Sequence, residues 1–278
     1  MRTYDHEAPP PFDGVAETAA TAGCRVPRAA WDIADAAASQ MTIHGFPIAD
    51  GEPREVYLAV RAALEGTLWR PVLTSGLDYL VRTADLENDE VVPWFDLIGR
   101  TETDRTHEAR VRKVVHARIQ DVLHAADATP GDPGDALDDL DPDTIAARLG
   151  PAPDAPTVGK PRGSAQSRSV APWLGLIPAE EPWHVPFLLG LPCPNNWSAW
   201  PYHGNLTVAD HGAFVRTWYE RYGAEPYYLT RVDLELYVPR PPLDPTEAAR
   251  AAAELAAYCY DVHGEGMVRS DLWALWWD

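Results

Sequence analysis

Cationic residues are scarce in this 278-residue chain: 23 Lys and Arg stand against 42 Asp and Glu, for a formal net charge of −19. Phosphate backbones are bound by clustered Lys and Arg, so the balance argues against nucleic acid and anionic membrane surfaces as partners. A basic protein partner fits it, because complementary fields speed encounter; the plainer role of the charge is solubility. Cysteine is scarce too. Cys24, Cys193 and Cys259 sit at wide, odd spacing that gives neither a disulfide framework nor a zinc pattern, and the chain reads as a reduced, cytoplasmic protein. No apolar run approaches the roughly 20 residues of a membrane-spanning helix. Met1–Glu7 lacks a basic segment followed by an apolar stretch, so no signal peptide is expected. Nothing fits G-x-x-x-x-G-K-[ST] or G-x-G-x-x-G. No cofactor is expected.

What is present divides the chain into four stretches. Residues 1–27, with Pro9-Pro10-Pro11, read as a flexible lead-in. Residues 28–126 read as an N-terminal α/β half. There Val56, Leu58, Val60, Ala63 and Leu64 fit a short amphipathic helix ended by Gly66, and Trp69–Leu73 reads as a strand. A longer helix is expected from His107 to Ala126, with Val111, Val114, Val115, Ile119, Val122 and Leu123 on one face. Its basic residues Arg110, Arg112, Lys113 and Arg118 read as a solvated face. Residues 127–170, rich in Pro, Gly and Asp, read as a linker or insertion with a short helix at Thr144–Leu149. Its aspartates do not make an EF-hand: counted from Asp139, Thr144 stands where glycine is required and Gly150 where the bidentate glutamate belongs.

Residues 171–278 read as a C-terminal α+β domain. Trp183–Leu191, interrupted by Pro186, looks like an edge strand. Thr207-Val208-Ala209-Asp210 looks like a capping box, opening a helix through Phe214, Val215, Trp218 and Tyr222 to a left-handed cap at Gly223. Tyr227–Leu229 and Leu234–Val238 read as strands, with Glu235 and Asp233 as outward charges on the second. Asp244-Pro245-Thr246-Glu247 starts a helix that buries Ala248, Ala252, Leu255, Ala256 and Cys259. Leu272–Trp277 is either a last helical turn or a closing strand. The fold class expected is α+β: a mixed or mostly antiparallel sheet with helices packed on one face.

Eight of the eleven tryptophans lie from Trp173 onward. With Trp200-Pro201, His211, Trp218, Arg221-Tyr222-Gly223-Ala224-Glu225, Leu234-Glu235-Leu236, Arg240-Pro241-Pro242, Tyr258-Cys259, Asp261 and Trp276-Trp277-Asp278, the chain resembles the bacterial family known as domain of unknown function 4253, over roughly the last 85 residues. A weaker echo, Leu68–Leu73, looks like that family's N-terminal strand region. Tyr260 stands where the family usually has proline, and Trp200 where it often has cysteine, so thiol chemistry at Trp200 is not general to it. The resemblance implies a fold and no activity.

The candidate site is the turn from Asn195 to His211 together with Tyr258–His263. It gathers Asn195, Asn196, Trp197, Trp200, Tyr202, His203, Asn205, Asp210, His211, Asp261 and His263. Amides, aromatics and histidines before a helix N-terminus can form a polar pocket with aromatic walls; in the structural alternative the asparagines hold turns, the tryptophans pack, and His211 is buried or caps the helix. No spacing among His203, Asp210, His211 and His263 is a recognised metal-ligand pair. Cys259 falls on an apolar stripe, and Cys193 lacks a visible base. Two functions follow: a non-enzymatic binding or interaction protein, such as one neutralising a basic partner, or a small hydrolase or ligand-binding enzyme with His203 or His211 as acid or base.

Overall fold

The computed structural model describes residues 17, 19–22, 24, 29–34, 40–48, 52–76, 106–128, 137–162, 172–189, 206–259 and 262–277. The chain forms two compact units: residues 1–99, 162–192 and 226–235 make the first, and residues 100–161, 193–225 and 236–278 the second. The architecture is α+β, a mixed sheet with helices packed against it.

In the first unit the strands are β1 (Ala29–Ala34), β2 (Gln40–Pro47), β3 (Trp69–Thr74), β4 (Trp173–Pro178), β5 (Glu225–Leu229) and β6 (Asp233–Tyr237). They lie in the order β1-β2-β4-β3-β5-β6. β1 to β2, β2 to β4 and β4 to β3 pair antiparallel, with Val72 opposite Gly175; β3 and β5 run parallel, with Leu73 opposite Tyr228. Helix α1 (Pro53–Ala63) begins with proline at its first position, where a missing N–H costs nothing, and buries Val56, Tyr57 and Val60. The Tyr57 hydroxyl donates to the Pro226 carbonyl at 3.1 Å, and its ring meets Tyr227 edge-on at 4.9 Å. Ile43, Phe46, Val72, Leu73, Leu174 and Leu176 complete this core.

Two expectations for this unit are corrected. The described part of the expected edge strand Trp183–Leu191 is helical: Pro182–His184 forms a 3₁₀ turn that runs into a short helix α4, Val185–Leu189. Pro182 and Pro186 each fall in a first turn, where proline is tolerated, and so short an apolar run carries no period to separate strand from helix. Glu235 is not a solvated outward charge. It is 1 % exposed and accepts the Arg162 backbone N–H at 2.7 Å. Asp233, half-buried, accepts from the Thr230 hydroxyl at 2.7 Å, and burial raises its pKa.

The second unit is built from α2 (His107–Ala128), α3 (Pro142–Leu149), α5 (Val208–Tyr222), α6 (Pro245–Tyr258) and β7 (Leu272–Trp276). The closing segment is therefore a strand, and just before it the Asp271 carbonyl accepts the Val238 N–H at 2.9 Å. Each helix start is written locally. Asp141 accepts from the Thr144 N–H, Asp244 from Thr246 and Glu247, and Thr207 with Asp210 forms the reciprocal capping box. The C-terminal end of α3 is met by Arg269, whose guanidinium donates to the carbonyls of Leu149, Gly150 and Pro151. Val122 of α2, Leu140, and Ala256 and Ala257 of α6 form a small apolar cluster with Val115, Ile119 and Leu137 against it.

Helix α5 stops at Gly223 in the left-handed conformation, φ 70°. Gly66 also has positive φ, 79°, but a Cβ there would meet nothing within 4 Å, whereas at Gly223 it would lie 3.1 Å from Pro239 Cγ. A left-handed alanine costs about 1–2 kcal/mol. Gly223→Ala should therefore lower the urea midpoint of the chain more than Gly66→Ala. The reverse order, measured in parallel denaturations, would show that the Pro239 contact yields freely.

Candidate functional site

The candidate residues Asn195, Asn196, Trp197, Trp200, Tyr202, His203, Asn205 and Asp261 lie outside the described residues, as does Cys193. Those described fall in three different settings. Asp210 stands in the first turn of α5. Its Oδ2 accepts from the Thr207 N–H at 2.9 Å and the Thr207 hydroxyl at 2.6 Å, while Oδ1 accepts from Arg110 of α2 at 3.2 Å. His263 is exposed and pairs with Asp139 at 2.9 Å. His211 is fully buried.

Helical spacing dictates the burial of His211. It lies one turn ahead of Phe214 and two ahead of Trp218, on the face that α5 turns inward. Its ring stacks on Tyr258 of α6 at 5.6 Å between centroids, and Nδ1 is hydrogen-bonded to the Tyr258 hydroxyl. Phe214 lies 5.2 Å from Tyr258, and Trp218 meets both Tyr258 and Trp273 edge-on, at 5.2 and 5.8 Å. In this enclosure burial drives the imidazole pKa down to about 3, so the ring is neutral, and burial raises the Tyr258 phenol above its ordinary value.

Beneath these rings is a buried carboxylate. Glu254 of α6 is 2 % exposed and accepts from Trp218 Nε1 at 3.0 Å, from Arg221 at 2.8 Å and from Arg250 at 3.3 Å. Arg221 also reaches Glu108 of α2 at 3.1 Å, and the two carboxylates raise its pKa despite burial. Cys259 is buried, its Sγ donating to the Trp276 carbonyl at 3.0 Å.

An open feature of this unit lies on the other side of α2. Thr106, Ala109, Arg110, Lys113, Val114, Ala117, Arg118 and Asp121 recur every third or fourth residue, a single stripe on one helix face. With Leu206, Thr207 and Asp210 at the start of α5, they line a cavity of about 630 Å³. Leu206 directly follows the candidate loop in the chain. The basic residues of α2 are therefore not one solvated face. Arg118 is 3 % exposed, and burial lowers its pKa to about 10 against the opposing effect of Asp121 and Asp210. Asp121 is 7 % exposed, and its Oδ2 has no hydrogen-bond partner among the described residues. Lys113 remains exposed. Sequence reasoning passed over Asp121 altogether; the available signal was a carboxylate three residues after Arg118, on the stripe that Val114 shares rather than the one that Val115 and Val122 form. Among the described residues, no group of three or more His, Cys, Asp and Glu side chains gathers to hold a metal.

The His211 setting has a pH consequence. An unfolded histidine titrates near 6.5 and the folded one near 3. The unfolded state therefore binds the extra proton between these values, so the stability is full above pH 6.5 and is lost as pH falls toward 3. Between pH 7 and 4.5 this loss is on the order of 2–3 kcal/mol. Urea unfolding at both pH values should show a smaller acid loss in His211→Gln than in the wild type; equal losses would mean that the imidazole accepts a proton where it sits.

No curated protein and no solved structure matches the chain. Residues 173–278 match the model of the family described as Domain of unknown function (DUF4253), the family that the tryptophan punctuation of the sequence resembles.

Proposed function

We propose that the second unit is a binding module, without catalysis of its own, for a small polar ligand held against α2. The observation that carries this reading is the pair Arg118 and Asp121, withdrawn from water yet lining a cavity of about 630 Å³. Withdrawing charges from water costs several kcal/mol each, and apolar residues of similar volume in such places are often neutral or stabilising. Arg118 faces the opposing charges of Asp121 and Asp210, and we read charges kept on a cavity wall as serving a ligand that enters it. Its volume lies within the roughly 300–1,000 Å³ of small-molecule sites.

A hydrolase built on His203 or His211 is the alternative. His211 is enclosed and neutral and does not line the cavity, which favours binding over proton transfer. The charge of −19 supports a second binding reading, a basic protein partner on the acidic surface. Such an association should weaken steeply as salt is raised to about 0.5 M, because exposed charges are screened beyond a few ångströms there.

Ala117 is exposed on the cavity wall, so Ala117→Trp fills the space without cutting into the apolar core. A panel of small charged compounds should contain ligands that raise the melting temperature of the wild type; a ligand at a hundredfold over its Kd adds about 2.7 kcal/mol. The rise should vanish in Ala117→Trp. A stabilising compound that works equally on both proteins would move the site elsewhere.

A further inference from the structure

We propose that this cavity takes a small monocarboxylate with an apolar body, its carboxylate on Lys113 and its body over Val114, Ala117 and Leu206. The inference rests on the binding reading above and names the class of ligand.

The charges of the wall decide where an anion goes. Arg110 is paired with Asp210 at 3.2 Å, and Arg118 already faces Asp121 and Asp210. These two cations and two anions balance one another. Lys113 is the fifth charge on the wall. It is exposed and makes no salt bridge among the described residues. The wall therefore carries one net positive charge, and Lys113 holds it. A monoanion neutralises that charge. A second carboxylate on the ligand would meet only cations that are already engaged.

Two neighbouring features keep the carboxylate at Lys113. Asp121 stands eight residues further along α2, about 12 Å along the axis, so an anion placed on Lys113 is held away from that carboxylate. The start of α5 does not compete for it. There the Thr207 hydroxyl accepts the Asp210 N–H, and the Asp210 carboxylate accepts the Thr207 N–H, so the positive end of the helix already has its anion.

The surroundings of Lys113 are apolar. Ala109 and Ala117 flank it four residues before and after, on its own ridge of α2. A helical side chain leans toward the turn before it, which leaves the exposed Ala117 uncovered beside the half-buried Val114 and Leu206. Covering these groups with an apolar body removes them from water. An exposed ion pair is a weak anchor. The body therefore supplies most of the affinity, and Lys113 supplies the preference for a carboxylate.

The probes are 3-phenylpropionate, its neutral amide, acetate and phenylsuccinate, titrated calorimetrically into the full chain. In the wild type 3-phenylpropionate should bind about fivefold more tightly than the amide, the upper range for an exposed ion pair. Acetate, which lacks the body, should bind at least about tenfold more weakly. Phenylsuccinate should gain nothing from its second carboxylate. Lys113→Met keeps the length of an exposed side chain and removes its charge; there the preference for carboxylate over amide should shrink to less than about twofold. The proposal is overturned if the amide binds the wild type as tightly as the carboxylate, if Lys113→Met keeps the preference, if acetate binds as well as 3-phenylpropionate, or if phenylsuccinate binds more tightly. Should 3-phenylpropionate fail while another compound's stabilisation is lost in Ala117→Trp, the cavity remains the site and the ligand class falls; if no stabilisation depends on Ala117, both readings fall.

Discussion

The carboxylate of Glu254 is the constraint on which the second unit depends. Taken out of water alone it would cost several kcal/mol, and three donors offset that: the Trp218 indole, Arg221 and Arg250. Each donor fixes a different part of the unit. Trp218 cannot rotate without losing its hydrogen bond, so its ring stays edge-on to Tyr258 and Trp273. Arg221 extends the network to Glu108 and so ties α2 to the last turn of α5. At the first turn of α5, Arg110 and Asp210 make a second tie to α2. Asp210 is also half of the capping box, so one carboxylate both starts α5 and positions the wall of the cavity.

This arrangement gives the family-bearing residues a physical role. Trp218, Arg221, Tyr222, Gly223 and Tyr258 are members of the ring cluster, the Glu254 network or the cap that ends α5. His211 belongs with them, its polarity absorbed by Tyr258. The cavity uses another set, on α2 and at the start of α5. Most of its wall, from Thr106 to Asp121, precedes the stretch matched by the family, residues 173–278. The ring cluster and the Glu254 carboxylate thus lie in the matched residues, and the cavity wall lies largely in the segment before them.

The fold was legible wherever local chemistry and periodicity agree. The starts of α5 and α6 were readable because each has a side-chain oxygen placed to accept the first free N–H groups, and the end of α5 because a left-handed cap favours glycine at Gly223. The strands Trp69–Thr74, Glu225–Leu229 and Asp233–Tyr237 followed from their apolar runs. What misled was polarity read at a single residue. Val185–Leu189 is too short to reveal a period, and Glu235 was assigned to solvent by alternation alone. Its burial depends on the Arg162 N–H, 73 positions away in sequence, and no local pattern reports such a donor.

The same limit hid the cavity. A helix pattern assigns each residue to an apolar or a solvated face, and by that rule the valines of α2 face the core and its arginines face water. The rule assumes one neighbour per helix. Helix α2 has two: Val115, Ile119 and Val122 meet Leu140 and α6 on one side, and its opposite stripe meets the start of α5 across the cavity. On that second side Arg118 and Asp121 are shut in at 3 % and 7 % exposure. The half-buried Val114, which the pattern gave to the core, instead lines the open space, and Leu123 is exposed. A basic helix face in an acidic protein reads as solubility when each side chain is taken alone. Taken together, Arg118 and Asp121 instead show a charged stripe drawn out of water beside a cavity, with one carboxylate oxygen unpaired among the described residues.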